Sequence, residues 1–200
     1  MTDALDPRTH RTLQAYREAL TRLLKVKPLE QITVSELSLK AGYHRSTFYR
    51  YYNHVGELFD EIQDEMLSEF EAIMDRYPVQ PDSRAVMLGR DEETTVPILT
   101  EAFSMIKRNS TFASVLLANP AEGQVLHRIL AIGRHHALDL TRPNMSGTEA
   151  EYYDRYYTFM TGGFLATIQR WLKEDMKMSP HKLAELCYEF ISLGAVYRRK

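Results

Sequence analysis

Apolar positions in this chain recur at three- and four-residue steps, the spacing of a helix with one buried face, and hardly anywhere in strict alternation. Leu13, Tyr16, Leu20, Leu23 and Leu24 predict an amphipathic helix over 8–26, ended by Pro28. Thr33 stands three residues before Glu36, the spacing of a capping box in which each side chain satisfies a free amide at a helix start. That helix places Val34, Leu37 and Ala41 on one side, and Gly42 breaks it, because glycine takes the positive φ of a sharp turn. A short helix over 45–52 follows. A longer one over 55–76 turns Leu58, Phe59, Ile62, Met66, Phe70 and Ile73 inward.

Residues 77–95 hold two prolines and a cluster of charges, which predicts a connection with room for a helical turn at 83–88. Val96-Pro97 suits a helix start, since proline in the first position gives up only an amide that lacks a partner anyway. Helices are expected over 97–108, 110–118, 121–140, 149–176 and 180–197, with a loop at 141–148 and Ser179-Pro180 capping the last helix. The expected fold class is all-α. An N-terminal three-helix domain covers 1–54, a coupling helix 55–76, and a larger helical domain 77–200. There is no internal repeat and no low-complexity tract.

Charge changes the picture. Residues 1–54 carry nine Lys/Arg against five Asp/Glu, a net of +4, whereas 55–76 carry eight acids against one arginine, a net of −7. The total of −2 conceals this contrast. A basic segment followed at once by an acidic helix points to a polyanion met by the first segment alone. No apolar stretch approaches the roughly 18–20 residues of a membrane span, and MTDALDPRTH has acids and no apolar run, unlike a secretory signal. Cys187 is the single cysteine, which excludes an intrachain disulfide or a cysteine-built metal framework and suits a reducing cytoplasm.

The segment AGYHRSTFYRYYNH (41–54) packs five aromatics among two arginines and two histidines. A core segment would not carry those cations, and a solvated face would not carry those rings. A supporting helix, a short capped helix, a glycine turn and a short helix together make a helix-turn-helix pattern. In it one helix faces a core and a polyanion at once. Phe48 and Tyr52, four apart, supply the seat. Arg45, Ser46, Thr47, Tyr49, Arg50 and Tyr51 lie round the other side, where arginine pairs with guanine and hydroxyls reach phosphates or bases. Composition alone leaves an ordinary amphipathic surface helix open.

TVSELSLKAGYHRSTFYRYYNHVGELFDEI resembles the DNA-binding domain of TetR-type bacterial transcriptional regulators, with a match running from about 8 to 75. Thr33, Val34, Ala41, Gly42, Thr47, Tyr49, Tyr52, Glu57 and Leu58 stand where the family pattern puts such residues. The resemblance implies a recognition helix at 45–51 and a helix from 55 that couples it to a ligand-binding body. The residues assigned to DNA are Thr33, His44, Arg45, Ser46, Thr47, Tyr49, Arg50, Tyr51 and His54. Two departures stand out. His44 replaces a frequent capping serine, although imidazole still accepts a hydrogen bond. Val55 replaces a frequent phosphate-touching lysine, a role open to His54 or to the helix amides.

FMTGGFLATIQRWLKEDMKMSP (159–180) is unusual for a helix, because Gly162 and Gly163 each cost about 1 kcal/mol against alanine. Close approach of a neighbouring backbone offsets such a cost. Phe164, Ile168 and Trp171 follow on one side. Leu183, Leu186, Cys187, Phe190 and Ile191 match them on the last helix. The run is similar to the C-terminal dimerisation helices of some TetR-type regulators. The implied homodimer interface takes in Gly162, Gly163, Phe164, Ile168, Trp171, Leu183, Cys187 and Phe190. The alternative is that both helices only close the core of one chain.

Other candidates carry little chemistry. His127, His135 and Asp139 share one helix, but His127 and His135 stand about 12 Å apart along it, too far for one tetrahedral ion. His136 neighbours them. The pairs Tyr152/Tyr156 and Tyr153/Tyr157 suit packing better than a reaction. No phosphate-cradling glycine loop, nucleophile elbow or paired catalytic carboxylates appears, so an enzyme is not expected. Phe103, Ile106, Phe112, Leu116, Phe159 and Met160 are apolar enough to line an effector pocket, and are equally what a helical core needs. No metal or cofactor is expected. The reading is a cytoplasmic homodimer that binds a pseudo-palindromic double-stranded operator and answers to a small effector as a repressor. The alternative is an activator or co-regulator governed by a partner protein.

Overall fold

The structure, a computed structural model, describes residues 6–78, 91–118, 124–136 and 147–196. Among them every regular element is helical. The chain divides into two compact units, Met1–Glu65 and Met66–Lys200.

In the first unit, α1 (Pro7–Leu24) opens with the Asp6 carboxylate accepting from the Arg8 amide. A 3-10 turn (Leu29–Gln31) leads to α2 (Val34–Ala41). The Thr33 hydroxyl accepts from the Glu36 amide at 3.2 Å, one half of the expected box. The Glu36 carboxylate does not close the other half, because it pairs with the Lys27 ammonium. Gly42 ends α2 at φ +79, with its amide and that of Tyr43 donating back to Leu39 and Ser38. This is the left-handed residue that lets a helix stop short and the chain turn.

α3 spans Arg45–Phe48, and hydrogen-bonded turns continue its coil through Tyr51, where a helix to 52 was expected. Phe48 is fully buried. Its ring meets Tyr16 edge-on at 5.2 Å, and Tyr52 at 5.4 Å. These contacts fix the short helix on α1, since a helix this short has almost no stability of its own. α4 (Val55–Arg76) begins in the first unit, and the division into units falls within it. Arg17 on α1 pairs with Glu61 and Glu65 of α4, and its charged form is strengthened chiefly by the bond to Glu65. Burial, followed by the nearby Glu61 charge, raises the pKa of the Tyr52 hydroxyl.

The second unit continues α4 from Met66 and adds α5 (Glu92–Arg108), α6 (Ser110–Ala118), α7 (Gln124–Arg134), α8 (Gly147–Lys173) and α9 (Pro180–Val196). Pro97 does not open α5. Asp91 caps it, accepting from the Thr94 amide at 3.2 Å and the Thr94 hydroxyl at 2.7 Å, which places proline inside the helix. The expected turn at 83–88 and most of the 141–148 loop lie outside the described residues. The expected 121–140 helix is seen over Gln124–Arg134.

α8 stops at Lys173 rather than 176, because Asp175 and Met176 both take positive φ. α5 packs on α9. Val96, Phe103, Trp171, Leu183, Ala184 and Cys187 form a buried cluster there, and the Trp171 indole donates to the Met178 carbonyl at 2.9 Å.

Candidate functional site

Among the described residues, two places have the geometry of sites, one in each unit. In the first unit, burying Phe48 and Tyr52 aims the rest of the α3 segment outward. His44, Arg45, Ser46 and Arg50 are exposed, Tyr49 is 57% exposed, and Thr47 and Tyr51 are half-buried. Thr33 and His54 are also exposed. All nine residues assigned to DNA therefore have at least part of their surface free, although Thr33, His44 and His54 also hold helix ends.

His44 does cap α3. Its Nδ1 accepts from the Ser46 amide at 3.3 Å and lies 2.9 Å from the Ser46 hydroxyl. His54 Nδ1 accepts from the Glu57 amide at 3.2 Å. The Glu57 carboxylate accepts from the Asn53 amide and from its side-chain nitrogen, and these bonds hold Glu57 below the usual carboxylate pKa range. Val55, where a cation was missed, is buried and anchors α4 instead. The Arg50 guanidinium lies 5.8 Å from the Tyr51 ring centroid, a cation–π contact that holds the charge at the surface. The result is a short convex edge of hydroxyls and guanidinium groups, the chemistry that meets phosphates and base edges.

In the second unit a cavity of about 320 Å³ lies between helices, the low end of the range for small-molecule sites. Phe103, Ile106, Leu116 and Met160 line it, as the sequence suggested. Two expected residues do not. Phe159 is 77% exposed, because the turn of α8 that carries Met160 inward carries its neighbour outward. Phe112 is buried but is not part of the wall, while Ala113 beside it is.

Sequence reasoning left His136 as a surface or pocket histidine, and missed Thr95, Tyr156 and the wall of α7 at Leu126, Ile129, Leu130 and Gly133. The i, i+3, i+4, i+7 spacing of that last group was the available signal. Burial, followed by the charge of His135, lowers the pKa of His136. Among the described residues no three His, Cys, Asp or Glu side chains gather to hold a metal. Asp139 lies outside them.

The α8–α9 hairpin divides differently from the sequence expectation. Trp171, Leu183 and Cys187 are buried within their own chain, and Phe164 and Ile168 pack against that cluster and line the cavity. Burial pushes the Cys187 thiol up to about 11. Trp171, Leu183 and Cys187 close the chain's own core, while Phe164 and Ile168 are half-buried against it. Gly162, Gly163 and Phe190 are exposed, and a Cβ added at either glycine meets nothing within 4 Å. The close approach invoked for the glycine pair is therefore not made by any described residue of the chain.

Residues 93–193 match a family described as a transcriptional regulator C-terminal region. A Bacillus subtilis (strain 168) protein, the uncharacterized HTH-type transcriptional regulator YxbF, is 24% identical over 184 residues. That alignment takes in 90% of this chain but 45% of YxbF, so the chain spans less than half the length of that relative. Two solved structures share the fold. The dihydroxyacetone kinase operon activator DhaS superposes with a TM-score of 0.55 at 16% identity, covering 93% of this chain and 97% of its own. The fatty acid degradation regulator FadR from Bacillus halodurans gives 0.56 at 15%, covering 93% and 98%. A helix-turn-helix with an outward edge of arginine and hydroxyl groups, joined to a body that this family describes, has one reading: the chain belongs to the TetR-type family of DNA-binding transcriptional regulators.

Proposed function

We propose that this protein acts in the cytoplasm as a homodimeric, ligand-responsive repressor of a pseudo-palindromic operator. One observation carries the DNA half of the reading. Arg45, Ser46, Tyr49 and Arg50 are exposed on a helix whose Phe48 is fully buried beneath them. A helix seated in this way presents its polar edge to the major groove without losing its footing. Thr47 and Tyr51 flank that edge, and the amides at the start of α4, beside His54, supply a phosphate seat where Val55 leaves no cation.

The dimer reading rests on α8 and α9. Tyr152, Phe159 and Gly163 recur at seven- and four-residue steps on α8, one stripe of the helix. Phe159 is 77% exposed and Phe190 on α9 is 54% exposed. An aromatic beside two glycines suits the close approach of a second copy. A twofold pair would set two recognition helices about 34–36 Å apart, one turn of the duplex. An effector that prefers one separation of the two heads would then shift operator affinity.

Enrichment of a random duplex library on the purified protein tests the reading. It should return half-sites one helical turn apart, with affinity falling steeply as salt rises. Arg45→Ala and Tyr49→Phe should each weaken binding to the selected duplex without loss of folding. Enrichment of no duplex, or a flat salt response, would exclude the reading. Gly163→Leu should yield a folded monomer in sedimentation, because no described residue of its own chain crowds that position.

A further inference from the structure

The cavity of the second unit is walled almost wholly by apolar side chains, and none of its described lining residues is Lys, Arg, Asp or Glu. At about 30 Å³ per water-sized atom, its volume of about 320 Å³ holds a molecule of roughly ten non-hydrogen atoms. Besides Thr161, its polar groups sort into two sets. The hydroxyls of Tyr77, Tyr156 and Tyr157 already donate, to the Glu101 carboxylate at 2.6 Å and to the Ile191 and Leu130 carbonyls at 3.3 and 2.9 Å. Thr95 is 8% exposed, and its hydroxyl has no partner. The buried Nδ1 of His136 has none either. Buried polar atoms are nearly always satisfied, so orphans in a cavity wall point to a group that arrives with a ligand.

We propose that the cavity takes a neutral, mostly apolar molecule of about ten non-hydrogen atoms bearing one hydroxyl or carbonyl group, which Thr95 or His136 hydrogen-bonds, and that it discriminates against the matching carboxylate. This deepens the ligand-responsive reading above and rests on it. A buried carboxylate needs a cation or several donors to replace its water, and the described wall supplies no Lys or Arg and few unpartnered polar groups. His136 does not stand in for one, because desolvation and the neighbouring His135 favour its neutral form. Alcohol and carbonyl oxygens ask for one or two hydrogen bonds, which the two orphan atoms can supply.

The test uses 1-nonanol and nonanoate on the full chain at pH 8, with calorimetric titration and melting temperature as readouts. 1-Nonanol should bind saturably and at least about tenfold more tightly than nonanoate, the minimum expected when a charge is buried without a partner. Thr95→Val should raise the melting temperature of the ligand-free protein, since it removes an unsatisfied hydroxyl while keeping the shape. Either Thr95→Val or His136→Leu should weaken 1-nonanol about fivefold, the worth of one net hydrogen bond. Nonanoate binding as tightly as 1-nonanol, binding of neither, or unchanged 1-nonanol affinity in both variants overturns the assignment. The ligand-responsive reading falls separately, and only if no compound of a chemically diverse panel releases operator DNA.

Discussion

The interiors of the two units are built from similar side chains and end differently. In the first, Tyr16, Tyr43, Phe48 and Tyr52 interlock ring against ring, and Leu20, Leu37 and Leu58 fill the remainder with no exposed surface. In the second, Met66, Met74, Met105 and Met160 stand among leucines, isoleucines and phenylalanines around a hole of about 320 Å³. Rings have few rotamers and hold one arrangement, which suits a helix that must present fixed groups to a rigid duplex. Methionine has three rotatable bonds and fits irregular space, which suits the wall of the ligand site proposed above. Where each unit keeps its shape tells what it has to hold constant.

The comparison breaks first at Phe48. Phe48→Ala should destabilise the first unit by about 3–5 kcal/mol and abolish operator binding. Urea unfolding followed by circular dichroism should then split into two transitions. A single undisturbed transition would show that the ring stack does not hold the unit together.

Next comes Arg45→Ala, expected to cost about 1–3 kcal/mol of operator affinity and to relax specificity at one base pair. Arg50→Ala should weaken all duplexes alike and reduce the salt slope by about one. Anisotropy titrations at several salt concentrations separate the two outcomes.

The contrast between filled and hollow interiors sharpens with a matched pair. Ala19, fully buried in the first unit, should lose about 1–3 kcal/mol on conversion to valine. Ala113, buried but lining the cavity, should lose less than about 1 kcal/mol, since the added methyls enter empty space. Equal losses in denaturant midpoints would mean that the hole is no reserve of room.

The smallest effect concerns acid. Hydrogen bonds from Asn53 lower the folded pKa of Glu57, so its contribution is present above the ordinary glutamate pKa and is lost as pH falls through the lowered one. Glu57→Gln should flatten the stability profile of the first unit below about pH 4.5 and lower its stability near neutrality, where the carboxylate's contribution is present. An identical acid limb in both proteins would remove that role.

Much of the first unit was legible because its signals are local. Thr33 before Glu36, Gly42 after α2, and Phe48 with Tyr52 four apart each act within a turn or two of the chain. The second unit was harder, because its cavity is defined by α4 to α9 together. Nothing in the sequence near Phe159 says that it faces out while Met160 faces in, and periodicity gives the face of a helix only to within a residue. The Pro97 assignment failed because Asp91, six residues earlier, had already satisfied the start of the helix. The hairpin was ambiguous for another reason: an apolar stripe on α8 looks the same whether its own chain or a second copy covers it.

Trp171 is the lone tryptophan, and its ring centroid lies 6.0 Å from that of Phe103, a residue of the cavity wall. The protein therefore carries an intrinsic optical probe one side chain away from any guest. Emission excited at the indole band would come from this single position, so a change in its colour or intensity on adding a compound reads occupancy directly, without label or operator.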